Sequence, residues 1–208
     1  MKIYLALIAI LGWFALIAQF YINIHSGLAA PFVEIIVRYF SYFTITTNLL
    51  VAIASTTLLI NPLWGPGYFF SQQGTLAAIT VYILIVGIIY NLILRSLWNP
   101  QGLQWVVDEL LHSAIPLLLL GFWIIFAPKD ELLWKDIWSW LIYPIVYMLF
   151  ILFRGSTSKF YPYPFINIRV LGLNKVLANS IGIALAFVLV SLIMVALARF
   201  ISRRKVRV

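Results

Sequence analysis

Long apolar runs bounded by charged and helix-breaking residues dominate the chain. A helix rises ~1.5 Å per residue and must cover ~30 Å of hydrocarbon, so runs of about 20 residues can cross a membrane. Such runs are predicted at about 3 to 24, 35 to 60, 74 to 95, 104 to 127, 132 to 153 and 175 to 200. Asn61 to Gly67, Trp98 to Gly102 and Pro128 to Asp130 punctuate them with turn-forming residues. The apolar stretch from Ile3 to Tyr21 exceeds the roughly 7 to 15 residues of a signal-peptide core and is read as a retained first helix. The longest connection, Arg154 to Asn174, alternates prolines and aromatics in Tyr161-Pro162-Tyr163-Pro164-Phe165, which predicts a stiff interfacial loop.

Polar positions inside these runs follow a pattern of depth. Within the second run, Glu34, Arg38, Ser41, Thr44, Asn48 and Ser55 recur at spacings that place them on one face of one helix. The fourth run enters from the same side with Asp108, Glu109, His112 and Ser113. Thr44 and His112 each lie roughly 12 to 14 Å inside at helical rise, so two parallel helices would hold them level. Gln19, Asn23, Tyr90, Asn91, Tyr143, Tyr147, Asn179 and Ser180 crowd the same half, whereas Ala114 to Phe126 and Ile183 to Ala198 are nearly all aliphatic. The expectation is an all-α, six-helix integral membrane bundle, one domain over residues 1–208, with a polar cavity in one half and an apolar plug in the other.

Composition agrees: 64% of the 208 residues are apolar, 10% are charged and the mean hydropathy is +1.05, values that exclude an ordinary water-soluble fold. The net charge of +8 is scattered over loops and ends, with no basic stripe or nucleic-acid-binding motif. An even number of spans puts both termini on one side, which carries eight Lys and Arg against six on the other. This bias predicts cytoplasmic termini. The run Arg203 to Arg207 is read as a lipid-headgroup anchor, and Trp64, Trp98, Trp105, Trp134 and Trp138 as an aromatic belt. There is no cysteine, and His25 and His112 are the only histidines, so neither a metal centre nor a haem or other cofactor is expected.

The candidate chemistry centres on His112. Asp108 four residues before it, or Glu109 three before, could fix the tautomer of the imidazole and stabilise its protonated form, as a general base requires. Pro116 removes a backbone hydrogen bond nearby. Thr44 offers a hydroxyl nucleophile, weak unless such a base lies within reach, and Asn48, Asn179, Tyr143 or Arg38 could donate to an oxyanion. Against this stands a structural role, in which Thr44 bonds its own helix and the polar residues glue neighbouring helices. A small transporter or lipid-binding membrane protein with a buried His and acid site is the alternative function.

Ser41-Tyr42-Phe43-Thr44 leading into Asn48, His112 followed by Pro116, and Tyr163-Pro164-Phe165 after the fifth span resemble the androgen-induced protein family of multi-span membrane hydrolases, in a prokaryotic branch. The resemblance implies hydrolysis of lipid esters, of the type formed between fatty acids and hydroxy fatty acids, by a threonine and a histidine. Residue by residue these fall on Thr44 and His112, with Thr46 and Thr47 leaving the threonine register open. Thr46, Thr47 and Asn48 stand where the family carries an acidic residue. Membrane lipids would then be substrate or ligand, and the compartment the plasma membrane of a prokaryote.

Overall fold

The computed structural model describes residues 1–27 and 29–205, of which the side chains of 204 and 205 are excluded. The basic run expected as an anchor falls largely outside the described residues. The chain is 82% helical, and no strand occurs among the described residues. Among the described residues, six helices are long and apolar enough to cross a membrane, which makes this an all-α, multi-pass integral membrane protein.

The first span is α1 (Lys2–Ile24). The run expected as one second helix is instead two, α2 (Phe32–Phe40) and α3 (Phe43–Ile60). Glu34 and Arg38 therefore sit on a separate short helix, and the single stripe joining them to Thr44 does not exist. The break lies at Tyr42, whose backbone is extended (φ −83°, ψ 126°). Ser41 folds its hydroxyl back onto the Val37 carbonyl at 2.6 Å, and the Ser41 carbonyl accepts the Tyr147 phenol at 2.7 Å. At the start of α3 the exposed N–H groups find phenols: Phe43 N–H donates to Tyr147 at 3.1 Å and Thr44 N–H to Tyr163 at 3.2 Å. Helix starts carry such unpaired donors, and tertiary partners for them make a break stable.

A short α4 (Gly65–Ser71) leads to α5 (Gln73–Ile89), which continues through a π-helical turn at Tyr90–Leu94 and a tight turn at Arg95–Leu97. The fourth span is α6 (Leu103–Glu109), a second π-helical turn at Leu110–Ala114, and α7 (Ile115–Phe126). The fifth begins later than expected, with α8 (Asp136–Trp140) and α9 (Ile142–Ser158), because Asp136 accepts the Leu133 N–H at 2.9 Å and shapes a turn there. After α9 come the turn Pro164–Ile166, α10 (Ile168–Leu171) and the long α11 (Leu173–Lys205).

Helix α5 is central, with 61% of its span buried against 17% for the span containing α9. It packs on α3, α7 and α11, whereas α9 stands off from the bundle. The chain turns back over the end of α9 at Lys159 (φ 61°) and lays the Tyr161 ring on Gly155, where any Cβ would come within 2.1 Å of it. This packing carries Tyr163 over the start of α3.

Candidate active site

Pro116 has no N–H to give the His112 carbonyl. One residue earlier, the Ile115 N–H reaches the Leu110 carbonyl, five residues back, and so skips Leu111. The π-helical turn and Pro116 thus free two carbonyls, and both are taken by side-chain amides. Asn48 Nδ2 donates to Leu111 O at 3.2 Å and to Thr44 O at 2.9 Å, while Asn91 Nδ2 donates to His112 O at 3.2 Å and to Gly87 O at 2.9 Å. Gly87 permits the close approach of α5, because a Cβ there would lie 3.0 Å from the His112 carbonyl oxygen. Such turns are rare and concentrate at functional sites.

This clamp brings Thr44 and His112 together. Thr44 Oγ1 lies 3.4 Å from His112 Nε2. The opposite ring nitrogen, Nδ1, faces two acceptors of Asp108: the backbone carbonyl at 2.9 Å and Oδ1 at 3.3 Å. A backbone carbonyl only accepts, so Nδ1 is a donor, and in the neutral imidazole the lone pair is then on Nε2, the nitrogen that faces the threonine hydroxyl. Asp108 is 2% exposed, and its Oδ2 accepts the Tyr90 phenol, which in turn accepts the Trp98 indole N–H at 3.1 Å. The Tyr90 ring also stacks on the imidazole, centroids 3.8 Å apart and planes 15° from parallel. Tyr90 stands on the other π-helical turn. Both irregular turns thus serve one histidine.

Of the two acids, the structure brings Asp108 to His112 and not Glu109, which pairs with Arg95. The candidate oxyanion donors are engaged elsewhere. Asn48 spends both amide hydrogens on the clamp, and Asn179 Nδ2 holds the Phe165 carbonyl at 2.8 Å. The Tyr143 phenol donates to Thr46 Oγ1 at 2.8 Å and meets Thr47 at 3.3 Å, so neither neighbouring threonine faces the histidine. Arg38 bonds Glu34 at 2.7 Å, together with Arg154 at 3.0 Å, and both guanidiniums lie over the Phe160 ring. The Arg38 hydrogen bond, outweighing partial desolvation and joined by the Arg154 charge, holds the Glu34 carboxyl below its usual range. His25 is exposed and bonds the Tyr21 carbonyl.

A residue with no role assigned from sequence stands at the centre instead. Tyr163 OH lies 3.4 Å from Thr44 Oγ1 and accepts the Thr44 N–H. Burial pushes its pKa up to about 12, against the pull of those Thr44 hydrogen bonds, so it stays a neutral O–H. The Tyr-Pro-aromatic spacing around it was the one signal in the sequence.

Thr44 opens onto a cavity of about 310 Å³ between α3, α5, α9 and α11. Its wall is chiefly apolar, with Ile85, Val86, Ile89, Met148 and Phe187 beside the polar atoms of Thr44, Tyr163 and Ser180. Of the polar residues expected around a cavity in this half, Thr44, Tyr90, Tyr147 and Ser180 line it, whereas Gln19, Asn91, His112 and Asn179 do not. Ile145 and Leu149 of α9 and Leu177 and Ile181 of α11, 47 to 63% exposed, form a flank that opens sideways where lipid would lie. A second cavity of about 650 Å³, near Gln73, Glu131, Asp136 and Ser139, opens toward the side of the termini. Rings of Phe43, Tyr82, Tyr143 and Phe187, 4.9 to 6.2 Å apart, stand between the two.

No protein-family model, curated protein or solved structure matches this chain.

Proposed function

We propose that this protein is an intramembrane hydrolase of lipid esters, with Thr44 as nucleophile and His112 as its base. One observation carries the reading: a threonine hydroxyl 3.4 Å from Nε2 of a carboxylate-oriented histidine, on the wall of an apolar cavity open sideways. That distance is looser than a made hydrogen bond, as catalytic pairs often are before substrate binds. In the reaction, Thr44 Oγ1 bonds the ester carbonyl carbon while its proton passes to His112 Nε2. Asp108 stabilises the resulting imidazolium. Collapse breaks the bond to the leaving alkoxide, which takes the proton back from His112. Water then repeats the sequence on the acyl-threonine, releasing the fatty acid.

A lipid ester suits this cavity because its volume lies in the range of small-molecule sites and its opening faces hydrocarbon. A fatty acid ester of a hydroxy fatty acid is the substrate type, consistent with membership of the prokaryotic branch of the androgen-induced protein family, which we include in the proposal. The plasma membrane with cytoplasmic termini is the corresponding location. The test is hydrolysis of such an ester in proteoliposomes by the wild type, Thr44→Ala and His112→Ala. Activity lost in both variants supports the reading; equal activity in all three refutes it.

Two cavities on opposite sides of an aromatic layer favour one competing reading, a small transporter. Flux of a solute or protons through reconstituted protein that hydrolyses no ester would establish it.

A further inference from the structure

The geometry points to Tyr163 as the catalytic electrophile, its phenol O–H donating to the oxyanion that forms when an ester carbonyl is attacked by Thr44. This rests on the hydrolase reading above and names the group that reading lacks. Negative charge appears on the former carbonyl oxygen, two bonds from the attacking Oγ1, so its stabiliser must stand close to Oγ1 without being spent elsewhere. Tyr163 OH is 3.4 Å from Oγ1 and lies on the cavity wall. Tyr147 also reaches the start of α3 and the cavity, but its proton is committed to the Ser41 carbonyl at 2.7 Å.

The Tyr163 phenol is also a primed donor. It accepts the Thr44 N–H, the second residue of α3, and a hydroxyl that accepts one hydrogen bond donates a stronger one. That N–H belongs to the positive end of an 18-residue helix, whose field favours negative charge at the same place. In the attack, Oγ1 bonds carbon, the carbonyl π pair moves onto oxygen, and Tyr163 shares its proton with that oxygen without transferring it. Collapse returns the pair to the carbonyl and leaves Tyr163 unchanged.

The test uses full-length protein in proteoliposomes and a long-chain fatty acyl aryl ester. Tyr163→Phe is expected to lower kcat roughly 10²- to 10³-fold, the loss from a single oxyanion donor, with KM held within about twofold. Because this variant also leaves the Thr44 N–H without its acceptor, a second one separates chemistry from packing. Incorporation of 3,5-difluorotyrosine at position 163 keeps both hydrogen bonds but lowers the phenol pKa. Its kcat profile is expected to gain an alkaline limb, at the pH where the substituted phenol ionises, that the wild type lacks. A wild-type profile from the fluorinated protein, or Tyr163→Phe with kcat within about threefold of wild type, overturns the assignment while Thr44-dependent hydrolysis stands. Absence of Thr44-dependent hydrolysis in the wild type overturns both.

Discussion

Replacing Asn48 by alanine tests how the site is held. Asn48 is fully buried, and its amide ties α3 to the π-helical turn through Thr44 O and Leu111 O. Thr44 O lies within a helix and keeps its backbone partner, so the loss there is small. Leu111 O has been passed over by the Ile115 N–H, so the variant orphans it, at a cost of about 1 to 3 kcal/mol. Part of this is offset, because Asn48 Oδ1 is itself buried without a partner and disappears in the variant. Hydrogen bonds between membrane helices average only about 0.6 kcal/mol, which also argues for the lower half of the range. We therefore expect about 1 to 2 kcal/mol of destabilisation, read as a lowered midpoint of thermal unfolding in one fixed detergent. The activity change should be larger. With the clamp gone, Thr44 and His112 are free to separate, and misplacement by about 1 Å can cost ~10²-fold in rate. A variant with wild-type midpoint and wild-type ester hydrolysis would refute the claim that Asn48 positions the pair.

Three other outcomes follow from the same geometry. Gly87→Ala puts a Cβ 3.0 Å from the His112 carbonyl oxygen and 3.4 Å from Pro116 Cβ, so overpacking of about 1 to 3 kcal/mol is expected, with a fall in kcat measured on the same ester. Because the Glu34 carboxyl is held below its ordinary value of 4.5, its contribution to stability is complete above about pH 4.5 and fades as pH falls through the folded-state value. Glu34→Gln should therefore lower the unfolding midpoint at pH 6 and abolish that acid-side loss, as a pair of pH series would record. Ala184→Phe narrows the apolar cavity and is expected to lower kcat/KM for long-chain esters about 10-fold while sparing short ones, which paired kinetics with both chain lengths would measure.

What could be read from the sequence divides along physical lines. The six spans were legible because bilayer thickness imposes a run length that composition satisfies only there. The level placement of Thr44 and His112 was legible because helical rise converts position into depth. The break between α2 and α3 was not, since Ser41-Tyr42 contains neither proline nor glycine. It depends on the Tyr147 and Tyr163 phenols, which lie more than 100 residues away in the chain. Pro116 announced a disturbed hydrogen bond beside His112. Nothing local announced the matching π-helical turn at Tyr90, where the sequence Tyr-Asn-Leu-Ile-Leu is ordinary. Choosing Asp108 over Glu109 required knowing that Arg95 reaches Glu109, a contact between two spans. The oxyanion donor was hidden for a similar reason: Asn48 and Tyr143 have spent their hydrogens on other partners, Asn179 is held by the Phe165 carbonyl and Arg38 by Glu34, and only three-dimensional packing shows which phenol stands beside Thr44.

The central claim is that Thr44 is made nucleophilic by His112. The most direct measurement is reaction of purified protein with a long-chain fluorophosphonate, followed by mass spectrometry of the modified peptide. The adduct is expected on Thr44 itself, absent in Thr44→Ala and strongly reduced in His112→Ala when both variants keep the wild-type unfolding midpoint. An adduct on another residue, or unchanged labelling in His112→Ala, would contradict it.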